Sequence, residues 1–432
     1  MPLPGRRIDF TDEVRQSTCR RWQLFKILRS VIRNRIDSWN LTHMSARTVE
    51  SGDGNPTDHA CGSGTAGISL IDLGRKAAVY GFRHVLQGFD YHLRRGLAAP
   101  EKVALVLTNR CNCRCLMCEL WRTRDVGNEL PAERWIALLD ELHSWTRTLR
   151  LRFVGGEVLL KPGVYDIIRR AVHLGFTVNL ISNGLALQSE RNYRNLMNTG
   201  LRFITFSLDG KDAAIHDRHR GTPGLHHVVT EVIRRMKRER PAMCVSLICI
   251  IMRETAPQLA EYAQWAEELG VDRILFQPLA EPLGRPEKRA GWHRESDLFP
   301  RDLEPLDRSI DALERLRRRS AHMEMPLRPL RDMREYFVCP DSFQIRGGRC
   351  MVGYTDLQID PSGILYMCDV RHTAFGHVDD GPLRQSWRSE RARAVRRAIM
   401  ECRRPCSSLC NRSPGLWEKA STFLRYARAG RL

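Results

Sequence analysis

Val103-Ala-Leu-Val-Leu-Thr108-Asn-Arg-Cys111-Asn-Cys-Arg-Cys115-Leu-Met-Cys118 is the stretch on which the fold turns. Its first six residues form an apolar run of strand length. The chain then enters a cysteine loop without a spacer. Downstream the pattern alternates. Ala132–Trp145 carries apolar residues at helical spacing, and Leu149–Val154 reads as a second strand. Pro162–Gly175 reads as a helix that starts after Pro and stops at Gly. Strands follow at Phe176–Ile181, Phe203–Leu208, Met243–Met252 and Arg273–Gln277, with helices at Glu190–Thr199, Leu225–Arg238 and Pro257–Gly270. Regular alternation with short connections implies parallel strands and right-handed crossovers. The expected class is therefore α/β, a partial (β/α)6 TIM-like barrel with its chemistry at the strand C-terminal ends.

The motifs fall at those ends. Cys111, Cys115 and Cys118 have the spacing CxxxCxxC, which lets one loop hold three irons of a [4Fe–4S] cluster and leaves the fourth iron open. Cys113 lies between ligands and is not counted among them. A zinc knuckle is the alternative, but CxCxCxxC is cramped for paired CxxC geometry. The segment Thr108 to Cys118 resembles the radical S-adenosylmethionine (SAM) superfamily. In that family the open iron is chelated by SAM, whose reductive cleavage gives a 5′-deoxyadenosyl radical. Met117 stands where relatives often carry an aromatic residue.

Further motifs agree in order. Gly155-Gly156-Glu157 follows the second strand and resembles the family's GGE motif, whose backbone and carboxylate receive the SAM ammonium. Val158 stands where most relatives have Pro. Ser182-Asn183-Gly184 follows the third strand, and Ser207-Leu208-Asp209-Gly210 the fourth. Both resemble SAM-contacting segments, with Asp209 as acceptor for a ribose hydroxyl. Gly155-Gly156-Glu157 and Ser207-Leu208-Asp209-Gly210 each also read as a plain turn. His216-Asp-Arg-His-Arg220-Gly221 resembles the HDxxRG stretch of many relatives, with Arg220 as partner of the SAM carboxylate and the two histidines structural. Gln277 closes the sixth strand at the mouth of the site.

The chain contains 14 cysteines, and the rest of the chemistry is C-terminal. Cys350, 12 residues, Gly363, four residues and Cys368 match the opening of SPASM and twitch auxiliary-cluster domains. Cys402, Cys406 and Cys410 follow. This resemblance implies one auxiliary [4Fe–4S] cluster on Cys350, Cys368 and two of the last three, with Cys406 and Cys410 favoured and Cys339 an alternative. Leu357–Ile359, a turn at Asp360–Gly363 and Ile364–Met367 form its short elements.

The 432 residues are 42% hydrophobic and 28% charged, enough for a buried core and two or three domains. The longest apolar run, Leu247–Met252, is far short of the roughly 20 residues a membrane span needs. No signal core is present, so a cytoplasmic protein is expected. Net charge is +19, and Pro382–Leu432 holds 12 Arg and one Lys against three Glu. That surface is read as a solvated Arg-rich face, since no nucleic-acid motif accompanies it.

The domain reading is residues 1–100 as a basic helical or disordered extension, 101–280 as the barrel, 281–338 as a connection with the helix Leu303–Arg319, 339–412 as the cluster domain and 413–432 as a basic tail. Within the extension, Arg20–Ile36 reads as a basic helix, Thr42–Gly67 as a linker and Leu70–Leu97 as one or two helices. The expected function is radical SAM oxidoreductase or maturase chemistry on a peptide, with a flavodoxin or ferredoxin as electron donor. Small-molecule dehydrogenation of an alcohol, sugar or amine is the alternative. A zinc-stapled nucleic-acid-binding protein is the rival from outside enzymology.

Overall fold

The computed structural model describes residues 85–122, 127–146, 149–281, 291–319, 327–343, 350–368, 372–402 and 406. Arg20–Ile36, Thr42–Gly67, Cys410 and the tail 413–432 lie outside them.

Six parallel strands run in sequence order: β1 (Lys102–Thr108), β2 (Arg150–Gly155), β3 (Thr177–Ser182), β4 (Phe203–Ser207), β5 (Cys244–Ile251) and β6 (Arg273–Pro278). Consecutive strands as neighbours is the order of a barrel wall. Among the described residues β6 is an edge, so the wall stays open there. The covering helices bury one face each. Leu225–Glu239 turns Leu225, Val229, Val232, Ile233 and Met236 inward at helical spacing. At about 1.5–3 kcal/mol per fully buried large aliphatic side chain, that stripe fixes the helix to the sheet.

The C-terminal strands are not a separate layer. β7 (Asp356–Ile359) pairs parallel with β1, from Lys102 opposite Asp356 to Leu105 opposite Ile359. β8 (Ile364–Tyr366) and β9 (Ala374–His377) continue antiparallel, giving one sheet of nine strands among the described residues. β1 is thus an interior strand. The β7–β8 turn is built by Asp360, whose Oδ1 accepts from the Ser362 and Ile364 backbone N–H groups. Gly363 is needed there: φ is +99°, and a Cβ would sit 2.7 Å from Val378.

Several helices join these parts. Leu303–Arg319 is observed as Glu304–Arg319. Leu327–Val338, absent from the sequence reading, places the Tyr336 hydroxyl 2.7 Å from the Leu279 carbonyl, just past β6. Leu383–Arg388 and Glu390–Met400 fall in the stretch read as a solvated Arg-rich face. That reading fails at Arg396, which is fully buried. Its guanidinium lies over the rings of Trp387 and Tyr354 at 4.4 and 5.4 Å, and its Nε donates to the Gly353 carbonyl.

Candidate active site

Parallel neighbours put the loops after β1, β2, β3 and β4 side by side at one end of the sheet. The β1 loop is held from below by a pair the sequence reading missed. Glu129 accepts from the Thr108 hydroxyl at 2.6 Å and the Asn109 N–H at 2.8 Å, and pairs with Lys161 at 3.3 Å. Both charged side chains are 5% exposed. Neither residue has a spacing signal that could have revealed it. Trp121, also missed, donates its indole N–H to the Cys118 carbonyl at 2.8 Å and closes the last turn of the loop.

The loop itself sorts its cysteines. Cys113 is buried, and its sulfur is within hydrogen-bond reach of the Thr222 hydroxyl. Burial pushes its thiol up to about 12. Cys111 is pushed up to about 11 by burial, and Cys118 is raised by the same cause. Met117 is buried in the core, and Leu116 is the exposed apolar residue of the loop. A second segment clamps the loop. The Arg114 N–H donates to the Arg220 carbonyl at 3.1 Å, and the Leu116 N–H to the His219 carbonyl at 2.9 Å. Gly221 permits this approach: φ is +60°, and a Cβ would lie 2.4 Å from the Arg114 carbonyl oxygen.

The glycines of the β2 loop serve the same closeness. A Cβ on Gly156 would lie 2.4 Å from the Arg110 carbonyl oxygen. The Gly156 and Glu157 N–H groups donate to Thr108 and Arg110 at 2.9 and 2.7 Å. The Glu157 carboxylate is turned sideways. It accepts from the Ser182 hydroxyl at 2.9 Å, the Leu159 N–H at 3.1 Å and the Asn183 N–H at 2.7 Å. Burial raises its pKa, against the pull of those donors. Asn183 in turn donates to Asn112 in the cysteine loop at 2.8 Å. The expectation that the Glu157 carboxylate receives the SAM ammonium meets a group already holding three protein donors at 1% exposure.

Asp209 and Arg220 are likewise engaged by the protein, and by each other. Asp209 is 0% exposed, its Oδ1 accepts from Ile250 N–H at 2.9 Å, and its Oδ2 pairs with Arg220 Nε at 2.7 Å. The strand ends at Ser207, and Asp209, two residues beyond it, folds inward. Arg220 also points at Cys115, with Nη1 3.9 Å from Sγ. Burial alone would lower the Arg220 pKa, but Asp209 and the Cys115 sulfur hold it above its ordinary value. Ser207 stays half-buried at the sheet end, and so does Gln277. His216 is structural, as expected: its Nδ1 accepts from the Asp209 N–H at 3.0 Å.

A family model of the radical SAM superfamily matches residues 105–266, and one of the SPASM iron–sulfur cluster-binding domain matches residues 350–412. The chain belongs to the radical SAM superfamily. Among relatives of this radical SAM chain, the PqqA peptide cyclase of Rhodopseudomonas palustris is 27% identical over 325 residues, covering 72% of this chain and 79% of that one. The PqqA peptide cyclase of Streptomyces rochei is 26% identical, with 72% and 81% covered. SuiB of Streptococcus suis, solved with SAM bound, superposes with a TM-score of 0.52 at 16% identity, covering 69% of this chain and 68% of that one. That likeness is one of fold. The chain is a radical SAM enzyme, using a [4Fe–4S] cluster, SAM and auxiliary iron–sulfur.

The donor set fits the first cluster: three cysteines on one braced loop, with the intervening Cys113 turned to Thr222. In the SPASM region, Cys350 and Cys368 flank the β7–β8 hairpin, both half-buried. Cys402 lies just past the helix Glu390–Met400, its N–H donating to the Ile399 carbonyl at 3.2 Å. Cys406 donates its N–H to Phe343 at 2.9 Å, which ties it to the segment after Cys339. Cys339 is disulfide-bonded. Cys402 and Cys406 are half-buried as well.

Proposed function

We propose that this radical SAM enzyme modifies a peptide. The observation that carries the reading is the match to PqqA peptide cyclases, which runs over 325 residues and so extends well past the barrel. When bound, the cluster and SAM supply the electron and the 5′-deoxyadenosyl radical that removes a hydrogen atom from the substrate. The protein's own residues position that chemistry. Cys111, Cys115 and Cys118 are the iron ligands. Gly155 and Gly156 bring the β2 loop backbone against the cysteine loop, beside the place where SAM would bind, and Ser207 offers a half-buried hydroxyl. Glu157, Ser182, Asn183 and Asp209 act from behind that surface: the first three hold the β3 loop against the cysteine loop, and Asp209 fixes Arg220. Cys350, Cys368 and two of Cys402, Cys406 and Cys410 hold one auxiliary [4Fe–4S] cluster.

The division of the chain is proposed as residues 1–100, 101–280, 281–338, 339–412 and 413–432. The cluster domain shares the barrel's sheet through β7, which keeps its metal in a fixed relation to the site. A flavodoxin or ferredoxin is the proposed electron donor and the cytoplasm the proposed location; among the described residues no helix is long and apolar enough to cross a membrane.

The test is anaerobic turnover of the full chain with SAM, reduced flavodoxin and the short peptides encoded beside its gene. One peptide should stimulate 5′-deoxyadenosine release and emerge lighter by two hydrogen atoms. Oxidation of a small alcohol or amine, with every such peptide unchanged, would refute peptide modification.

A further inference from the structure

We infer that the buried Asp209–Arg220 pair is a second-sphere device that sets the reduction potential of the SAM-binding cluster through Cys115. The inference rests on the proposed ligation of that cluster by Cys111, Cys115 and Cys118. Four observations converge on it. Arg220 is 8% exposed, and its Nη1 lies 3.9 Å from Cys115 Sγ. Its Nε is held at 2.7 Å by Asp209, which is 0% exposed. Asp209 is in turn anchored to β5 through the Ile250 N–H and to His216 through its own N–H. The Arg220 and His219 carbonyls accept from the N–H groups of Arg114 and Leu116, the residues on either side of Cys115.

One side chain therefore aims a fixed positive charge at one sulfur, while its own backbone fixes the loop that carries that sulfur. A guanidinium with a single anchored orientation gives up little freedom on making this contact. Hydrogen bonds and charge at cluster sulfurs are the terms by which a protein moves a cluster potential. Adding an electron makes the cluster more negative. Arg220 stabilises that reduced state, and Asp209 partly offsets it. The pair thus has two members of opposite electrostatic sign acting on one couple. Arg220 is a positioning residue here, because it acts through Cys115.

The test uses the reconstituted full chain without SAM, titrated redox-potentiometrically with electron paramagnetic resonance detection. The relevant signal is identified in a parallel sample as the one that SAM changes. Arg220→Gln should lower the potential, cutting the reduced-to-oxidised ratio at a fixed potential about tenfold, which is about 59 mV for one electron. Asp209→Asn should raise it, because the counter-charge is gone and the guanidinium remains. Arg220→Lys should recover part of the Gln shift. Iron content should stay at the wild-type level in all three, and circular dichroism reports folding. Potentials unmoved in folded, iron-loaded variants would overturn the inference, and so would shifts of the same sign in Arg220→Gln and Asp209→Asn. A fall in SAM affinity with no change in the SAM-free potential would overturn it in favour of direct contact with the SAM carboxylate. Cys115→Ala is the separate control. Loss of the SAM-responsive cluster supports the ligand set, and its retention refutes that set independently of Arg220.

Discussion

Glu157→Gln is nearly isosteric and separates bracing from ligand contact. The carboxylate holds two backbone N–H donors and one hydroxyl. A carboxamide presents one oxygen and one NH2 group. Whichever way it is turned, its NH2 faces either the Asn183 N–H or the Leu159 N–H. An orphaned buried donor costs about 1–3 kcal/mol. Removing a buried charge works the other way, because burial already raises the Glu157 pKa. Global stability should therefore change little, and the loss should appear locally, as loosening of Ser182–Gly184. If SAM binds only the ordered loop, its affinity falls by the same free energy, roughly 5- to 150-fold. Anaerobic equilibrium dialysis measures the affinity, and hydrogen exchange at the Asn183 and Leu159 amides measures the order. Iron should be retained. An affinity loss beyond about 1,000-fold with both amides still protected would refute the bracing argument and put the carboxylate on SAM itself.

Other outcomes follow from the same geometry. Cys111→Ala, Cys115→Ala and Cys118→Ala should each abolish reductive SAM cleavage, whereas Cys113→Ala should preserve it, as read by 5′-deoxyadenosine chromatography. Gly221→Ala forces a left-handed residue, about 1–2 kcal/mol, and drives a methyl into the Arg114 carbonyl, so it should reconstitute with less iron and melt lower than wild type. Cys350→Ala plus Cys368→Ala, if folded, should keep SAM cleavage but lose the auxiliary iron and the normal product; full product yield would reduce the auxiliary cluster to a staple. Burial holds His216 down at about 3 and lowers His219 and His226 as well. Unfolded histidines take up protons near pH 6.5 and His216 does not, so the unfolded chain binds more protons as pH falls from about 6.5 toward 3. Stability should then fall by about 1.4 kcal/mol per pH unit on account of His216, with His219 and His226 acting in the same direction; denaturant midpoints at pH 7.5, 6.5 and 5.5 measure it, and a flat profile contradicts it.

The wall of the barrel was legible because each strand is an apolar run with punctuation around it. Leu149–Val154 and Arg273–Gln277 differ from the observed strands only at their ends. The cysteine loop was legible because its information is in local spacing. What escaped was pairing across long separations. Leu357–Ile359 reads as a strand, but nothing in three residues says that its neighbour is β1. Glu129 and Lys161 stand 32 residues apart and look like ordinary surface charges until the fold buries both. Arg396 was hidden in an Arg-rich stretch for the same reason. The direction of Asp209 could not be read from strand alternation, because the strand stops two residues earlier.

The insertion of β7 beside β1 bears on how the chain is made. Lys102 and its partner Asp356 are 254 residues apart in sequence. At about 5–20 residues per second, the ribosome needs roughly 13 to 50 seconds to deliver that partner. During this interval the barrel strands can assemble in order, but β1 keeps a bare flank of hydrogen-bonding groups. Such an edge recruits other chains when left uncovered. The strand that leads into the cysteine loop is thus both among the first synthesised and the last enclosed. Truncation before residue 356 should expose that flank and yield aggregates rather than a smaller enzyme, and slow synthesis should favour chaperone dependence.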